Sequence, residues 1–123
     1  MTILVAEDDM IMLKTIELRL KKDGYNVIIS QDGRDALKKI EDLSPDLIIT
    51  DIMMPFSSGL EIVEVVKRKE GKRIPIIVLS SMGQENVVLE AFQLGADDYI
   101  TKPFSPNELS LRVKRYFPNL VKN

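Results

Sequence analysis

Four short stretches of this chain carry the side chains best suited to chemistry. Glu7-Asp8-Asp9 follow one apolar run, Asp51 a second, Ser80-Ser81 a third and Thr101-Lys102 a fourth. Together they offer carboxylates, a hydroxyl and an ammonium group. The sequence has neither histidine nor cysteine. It therefore lacks the commonest general base, the commonest transition-metal ligand, any thiolate metal site and any disulfide framework. Whatever reaction occurs must run on carboxylates, hydroxyls and lysine. If two or three of the carboxylates meet within about 4 Å, each pair repels by roughly 4 kcal/mol at an effective dielectric near 20. Either some are protonated, with raised pKa, or a hard cation binds; a sparse oxygen set beside room for a phosphate favours Mg²⁺. Singly, each residue also has a plainer role. Asp8 and Asp9 suit the cap of a helix, Asp51 a loop, Ser80 a turn, and Lys102 a solvated surface. The Lys102-Pro103 pair fixes a turn that could aim the ammonium towards Asp51.

These stretches can act together only if the fold gathers them. Short β-branched, apolar runs at Ile3 to Ala6, Val27 to Ile29, Leu47 to Ile49 and Ile76 to Leu79, with a weaker one at Tyr99-Ile100, predict five strands. Between them lie apolar stripes at helical spacing: Leu13, Ile16, Leu20; then Ala36, Leu37, Ile40; then Leu60, Val63, Val66. Two more helices are expected at about 84–94 and 106–117. Gly24, Gly71 and Gly95 fall where helices should stop, Ser105-Pro106 reads as an N-cap followed by proline at the first helical position, and Pro118 should halt the last helix. The class is α/β with a (βα)5 order. Continuous apolar strands fit a parallel sheet covered on both faces. In such open sheets the site lies beyond the carboxyl ends of the strands, where all four stretches fall.

The bulk properties narrow the function. At 123 residues with 45% hydrophobic content, one domain spanning 1–123 with a sizeable core is expected. A formal charge of -2, from 17 basic and 19 acidic side chains, gives no reason to expect contact with nucleic acid or with an anionic membrane; protein partners are expected. No apolar stretch approaches the ~18 residues of a membrane span. The acidic residues directly after the first apolar run do not suit a secretory signal, so a cytoplasmic location is expected.

Three segments, Glu7-Asp8-Asp9, Asp46 to Pro55 (DLIITDIMMP) and Gly95 to Phe104 (GADDYITKPF), resemble the receiver domains of bacterial two-component response regulators, in order and across essentially the whole chain. The resemblance implies a doubly wound, flavodoxin-like sheet of order 2-1-3-4-5. It implies that Asp51 accepts a phosphoryl group from a phosphohistidine on a sensor histidine kinase or histidine phosphotransfer protein. It further implies that Asp8, Asp9, Asp51 and the backbone carbonyl of Met53 hold Mg²⁺, and that Ser80 and Lys102 bind phosphoryl oxygens. Ser80 and Tyr99 are implied as the switch pair, and the Lys102-Pro103 bond is implied to be cis. The output is expected from the face of the fourth helix, fifth strand and fifth helix towards an effector domain or protein target. Such a domain is a signalling switch that catalyses only its own phosphorylation and dephosphorylation.

The C-terminal third most resembles receivers that precede winged-helix DNA-binding domains, and Asp97, Asp98 and Arg112 would suit their dimer face. Val88 and Glu90, however, stand where those relatives carry basic or other charged groups, which weighs against a phosphorylation-dependent homodimer of that kind. Met53 and Met82 replace the acid or amide groups often found in receivers that lose phosphate quickly, which predicts a long-lived phosphoryl group. Ser81 stands where alanine or glycine is usual. Three rival readings fit less well. An aspartyl phosphohydrolase would have a second aspartate at position 53, a pseudo-receiver would lack acceptor-site residues, and a nucleotide-binding domain would have a glycine-rich loop in place of Glu7-Asp8-Asp9.

Overall fold

A computed structural model describes residues 1–71 and 73–117; Pro118, expected as the stop of the last helix, lies outside them. Strands and helices alternate: β1 (Thr2–Ala6), α1 (Met10–Lys22), β2 (Asn26–Ser30), α2 (Gly33–Leu43), β3 (Leu47–Asp51), α3 (Gly59–Arg68), β4 (Ile76–Ser80), α4 (Glu85–Leu94), β5 (Asp98–Thr101) and α5 (Pro106–Lys114). The five strands pair in parallel in the order β2-β1-β3-β4-β5. The strand order reverses between β1 and β3, so their carboxyl ends flank the crevice where doubly wound sheets place their sites.

The strands read as continuous apolar runs because alternate residues enter two different cores. Leu4, Ala6, Ile48, Ile76 and Val78 point to one, with Ala36, Ile40, Ile62, Val63, Val66, Val88 and Ala91 from α2, α3 and α4. Ile3, Val5, Leu47, Ile49, Ile77, Leu79 and Ile100 point to the other, with Leu13, Ile16, Leu20, Leu109 and Val113 from α1 and α5. The helix ends follow local chemistry. Ser105 Oγ accepts the Glu108 N–H, Pro106 opens α5, and Gly95 closes α4 at φ 116, a left-handed value that an L side chain rarely adopts.

The last helix is shorter than its apolar pattern suggests. It ends at Lys114 because the N–H groups of Tyr116 and Phe117 bond to the carbonyls three residues back, Val113 and Lys114, which tightens the turn out of α-helical geometry. Phe117 still reaches the core, packing against Tyr25 with ring centroids 5.4 Å apart.

One close approach shapes the strand ends. Gly59 opens α3 directly against the end of β3, and its N–H donates to the Ile52 carbonyl at 2.9 Å. A Cβ there would overlap the Asp51 carbonyl and stand 2.7 Å from Ile52 Cα. Glycine is required so that the chain can leave Asp51, pass Phe56 at φ 72, and fold back over the strand.

Candidate functional site

The sheet brings remote residues to one edge. Asp51 is the last residue of β3 and Ser80 the last of β4, while Glu7 and Lys102 each directly follow a strand, β1 and β5. Lys102 Nζ lies 2.8 Å from Asp51 Oδ2 and 2.9 Å from Glu7 Oε1, and bridges carboxylates from two strands. The site is also drawn in by its backbone: the Lys102 N–H donates to the Ser80 carbonyl at 2.6 Å, and the Glu7 N–H to the Ser30 carbonyl at 3.0 Å. The Lys102–Pro103 peptide bond is cis.

The electrostatics follow from burial. Glu7 is fully buried and Asp51 is 7% exposed. Desolvation, followed by the neighbouring Asp51 carboxylate, pushes Glu7 up to about 7, against the opposing pull of Lys102. Burial works against the charge on Lys102 as well, but the two carboxylates outweigh it and its pKa is raised. Glu7 Oε2 accepts the Asp9 N–H at 3.2 Å, whereas Glu7 Oε1, although beside Lys102, accepts no well-directed hydrogen bond among the described residues.

Glu7, Asp8 and Asp51 each place one carboxylate oxygen within 4.8 Å of the others. Asp9, expected in the acidic group, is placed elsewhere. Its Oδ1 accepts the N–H groups of Ile11 and Met12 at 3.0 and 3.2 Å and caps α1. Those donors have no partner inside the helix, so the cap makes better use of this carboxylate than a crowded anionic cluster does. Glu7 is not among the metal ligands that the resemblance implies, and it stands in this acidic group all the same. It follows four buried β1 residues without a polar break, and the readable signal was that an aspartate directly before a helix belongs to the cap.

The residues expected in the switch lie along one groove. Ser80, Val88, Leu89, Phe92, Tyr99 and Thr101 border an open cavity of about 400 Å³ between α4 and β5. Tyr99 faces outward, 43% exposed, and meets Phe92 edge-to-face with centroids 5.8 Å apart. The three residues expected on a dimer face are engaged within the chain. Asp97 Oδ2 accepts from Lys67 Nζ and from the Ile76 N–H, each at 2.8 Å, and Asp98 holds Arg112 at 2.8 Å, which also bonds the Tyr99 carbonyl.

The sequence model of the response regulator receiver domain matches residues 3–114. The chain is 44% identical over 115 residues to response regulator RR06 of Streptococcus pneumoniae, covering 94% of this chain and 51% of that protein. It is 41% identical over 112 residues to the alkaline phosphatase synthesis transcriptional regulatory protein PhoP of Bacillus subtilis, covering 91% and 46%. It thus spans about half the length of these curated relatives. Among solved structures, a response regulator from Chloroflexus aurantiacus superposes with a TM-score of 0.88 at 34% identity, covering 95% of this chain and 97% of that one. The chemotaxis response regulator CheY4 of Vibrio cholerae gives 0.87 at 30% identity, covering 94% and 97%. With its parallel sheet in 2-1-3-4-5 order, an acidic group at the strand ends and a family match across nearly all its length, this chain belongs to the response regulator receiver domains of two-component systems.

Proposed function

We propose that this chain is a magnesium-dependent phosphoacceptor switch in which Asp51 receives a phosphoryl group from the phosphohistidine of a sensor kinase or phosphotransfer protein. The observation that carries this reading is the Lys102 ammonium held against both Asp51 and Glu7, beside the exposed carboxylate of Asp8. One cation and three carboxylates leave an unbalanced anionic cluster, and the donor set is all hard oxygen, which suits Mg²⁺ over softer metals. Among the described residues the buried Glu7 Oε1 has the Lys102 ammonium beside it but no well-directed donor, and a cation would complete its surroundings. Glu7, Asp8 and Asp51 would hold the ion with the Met53 carbonyl, and Asp9 would support them from the helix cap. When bound, Mg²⁺ would offset the charge on the phosphoryl oxygens.

Asp51 attacks phosphorus through a carboxylate oxygen as the P–N bond of the donor breaks, and the bonding pair leaves on the imidazole nitrogen. No general base is needed, because an ionised aspartate has no proton to lose. Lys102, already at hydrogen-bond distance from Asp51, and the Ser80 hydroxyl neutralise charge on the remaining oxygens, which is most of what catalysis of phosphoryl transfer requires. The new group carries about -1.5 to -2 charges and draws Ser80 and Lys102 towards it, which vacates space for Tyr99 and changes the α4-β5-α5 face presented to an effector. The domain catalyses no reaction beyond gaining and losing this group.

No helix among the described residues is long and apolar enough to cross a membrane; a cytoplasmic location follows from the proposed exchange with a sensor kinase. The engagement of Asp97, Asp98 and Arg112 within the chain supports a monomer before phosphorylation, with any homodimer and any effector contact following it. The receiver reading is extended to residues 1–123 as one domain. Incubation with phosphoramidate and Mg²⁺ should add one phosphoryl group to the intact mass, and Asp51→Asn should abolish it. No added mass, or labelling that survives Asp51→Asn, contradicts the proposal.

A further inference from the structure

We propose that Gln84 is a positioning residue that holds the Ser81 N–H away from the acceptor site until a phosphoryl group competes for it; this rests on the phosphoacceptor reading. The Ser81 N–H donates to Gln84 Oε1 at 2.6 Å, and the Gln84 N–H returns to the Ser81 carbonyl at 3.3 Å. The two residues close a ring immediately after Ser80. The engagement leaves a mark on the helix, for Gln84 is the N-cap of α4 and yet its side chain makes no capping bond. Such a cap is usually the short side-chain oxygen of Ser, Thr, Asp or Asn, and the longer Gln84 side chain turns its oxygen back the other way. Here that oxygen is spent on the loop instead.

The captured N–H stands at the site's edge. Asp51 is in register with Leu79, and the Ile52 N–H continues the pairing to the Leu79 carbonyl at 2.9 Å. Continued two residues past the paired strands, that register brings Ser81 level with Met53, whose N–H points at Asp51 Oδ1 at 3.4 Å. Ser80, between them, is fixed through its carbonyl by the Lys102 N–H. A phosphoryl group on Asp51 meets two backbone donors at the same height, one already turned to the Asp51 carboxylate and one closed by Gln84. A charge-assisted bond to phosphoryl oxygen is roughly twice as strong as a neutral amide bond, so the exchange proceeds. It must still break the hydrogen bond from the Ser81 N–H to Gln84 first, and Gln84 thereby sets how readily the site is occupied.

The test compares the full chain with Gln84→Ala and with Gln84→Met, which keeps the side-chain bulk but has no strong acceptor. In the absence of phosphodonor the exposed Ser81 amide should exchange slowly with solvent in the unsubstituted protein and fast in both variants. Phosphoramidate with Mg²⁺ should phosphorylate both variants about 2- to 12-fold faster, the worth of one neutral hydrogen bond. A merely structural role for Gln84 predicts lower stability with unchanged or slower uptake. If the unsubstituted protein takes up a phosphoryl group but both variants do so at its rate or below, the Gln84 role is wrong and the phosphoacceptor reading stands. If the unsubstituted protein takes up none, both fall.

Discussion

Removing the one cation of the site is the most direct measure of its charge imbalance. In Lys102→Met the ammonium that lies 2.8 Å from Asp51 and 2.9 Å from Glu7 is replaced by an apolar side chain of similar length. The Glu7 and Asp51 oxygens, within 4.8 Å of one another, then repel with no cation between them by at least roughly 3.5 kcal/mol at an effective dielectric near 20. Removing one partner of a buried ion pair typically costs ~3–5 kcal/mol, in agreement with that figure. Uptake of a proton by Glu7 caps the loss, so the lower end of the range is expected. Urea denaturation near neutral pH in the presence of a chelator should show the variant less stable by about 3 kcal/mol. Saturating Mg²⁺ should restore most of this and should bind the variant more tightly, because the ion no longer competes with an ammonium. Phosphoryl uptake should nonetheless fall, since the oxygen that Lys102 would neutralise is left bare. A variant as stable as the parent protein in chelator, or one that Mg²⁺ stabilises no more than the parent, contradicts a charge imbalance at this site.

Glu7→Gln should reverse that sign with pH: the folded state raises Glu7 from 4.5 to about 7, so metal-free stability falls as pH rises through that window, by ~3 kcal/mol in all. Denaturation in chelator should find the glutamine variant equal to the parent below the window and more stable above it, with the order inverted once Mg²⁺ is present. Gly59→Ala forces a Cβ onto the backbone of Asp51 and Ile52 and should cost about 1–3 kcal/mol, read as a lower urea midpoint together with slower labelling of Asp51. Met53 and Met82 are 53% and 81% exposed, and neither thioether can orient water well; the acyl phosphate should outlast seconds without a phosphatase, and Met53→Asn should shorten its life by roughly 10- to 100-fold, at or below the low end of what a positioned polar group contributes. Decay of the parent's phosphoryl group within seconds, followed by loss of label, would contradict this.

How much could be read without coordinates depended on whether the signal was local. Three of the five strands were plainly legible because β1, β3 and β4 are buried on both faces and so carry unbroken apolar runs, and Ser105-Pro106 marked the start of α5 because capping is decided within one turn. The placement of Asp51, Ser80 and Lys102 at strand ends was equally local, and with the rule for doubly wound sheets it located the site. The end of α5 was not legible: its apolar pattern runs on to Phe117, but the chain tightens after Lys114 while Phe117 still packs on Tyr25.

Local chemistry offered Asp9 to the cap of α1, but the pairing of Glu7 with Lys102 was decided by the tertiary structure alone. Glu7 and Asp9 lie in one acidic run, and only the direction in which β1 delivers the chain puts Glu7, not Asp9, under Lys102. The same holds for Asp97, which the motif offers to a partner and the fold binds to Lys67 and Ile76. Sequence by itself determined which groups are present and which edge of the sheet they reach, because side-chain type and strand period are properties of short segments. Which oxygen meets which proton depends on contacts between segments far apart in the chain, and those exist only once the sheet has closed.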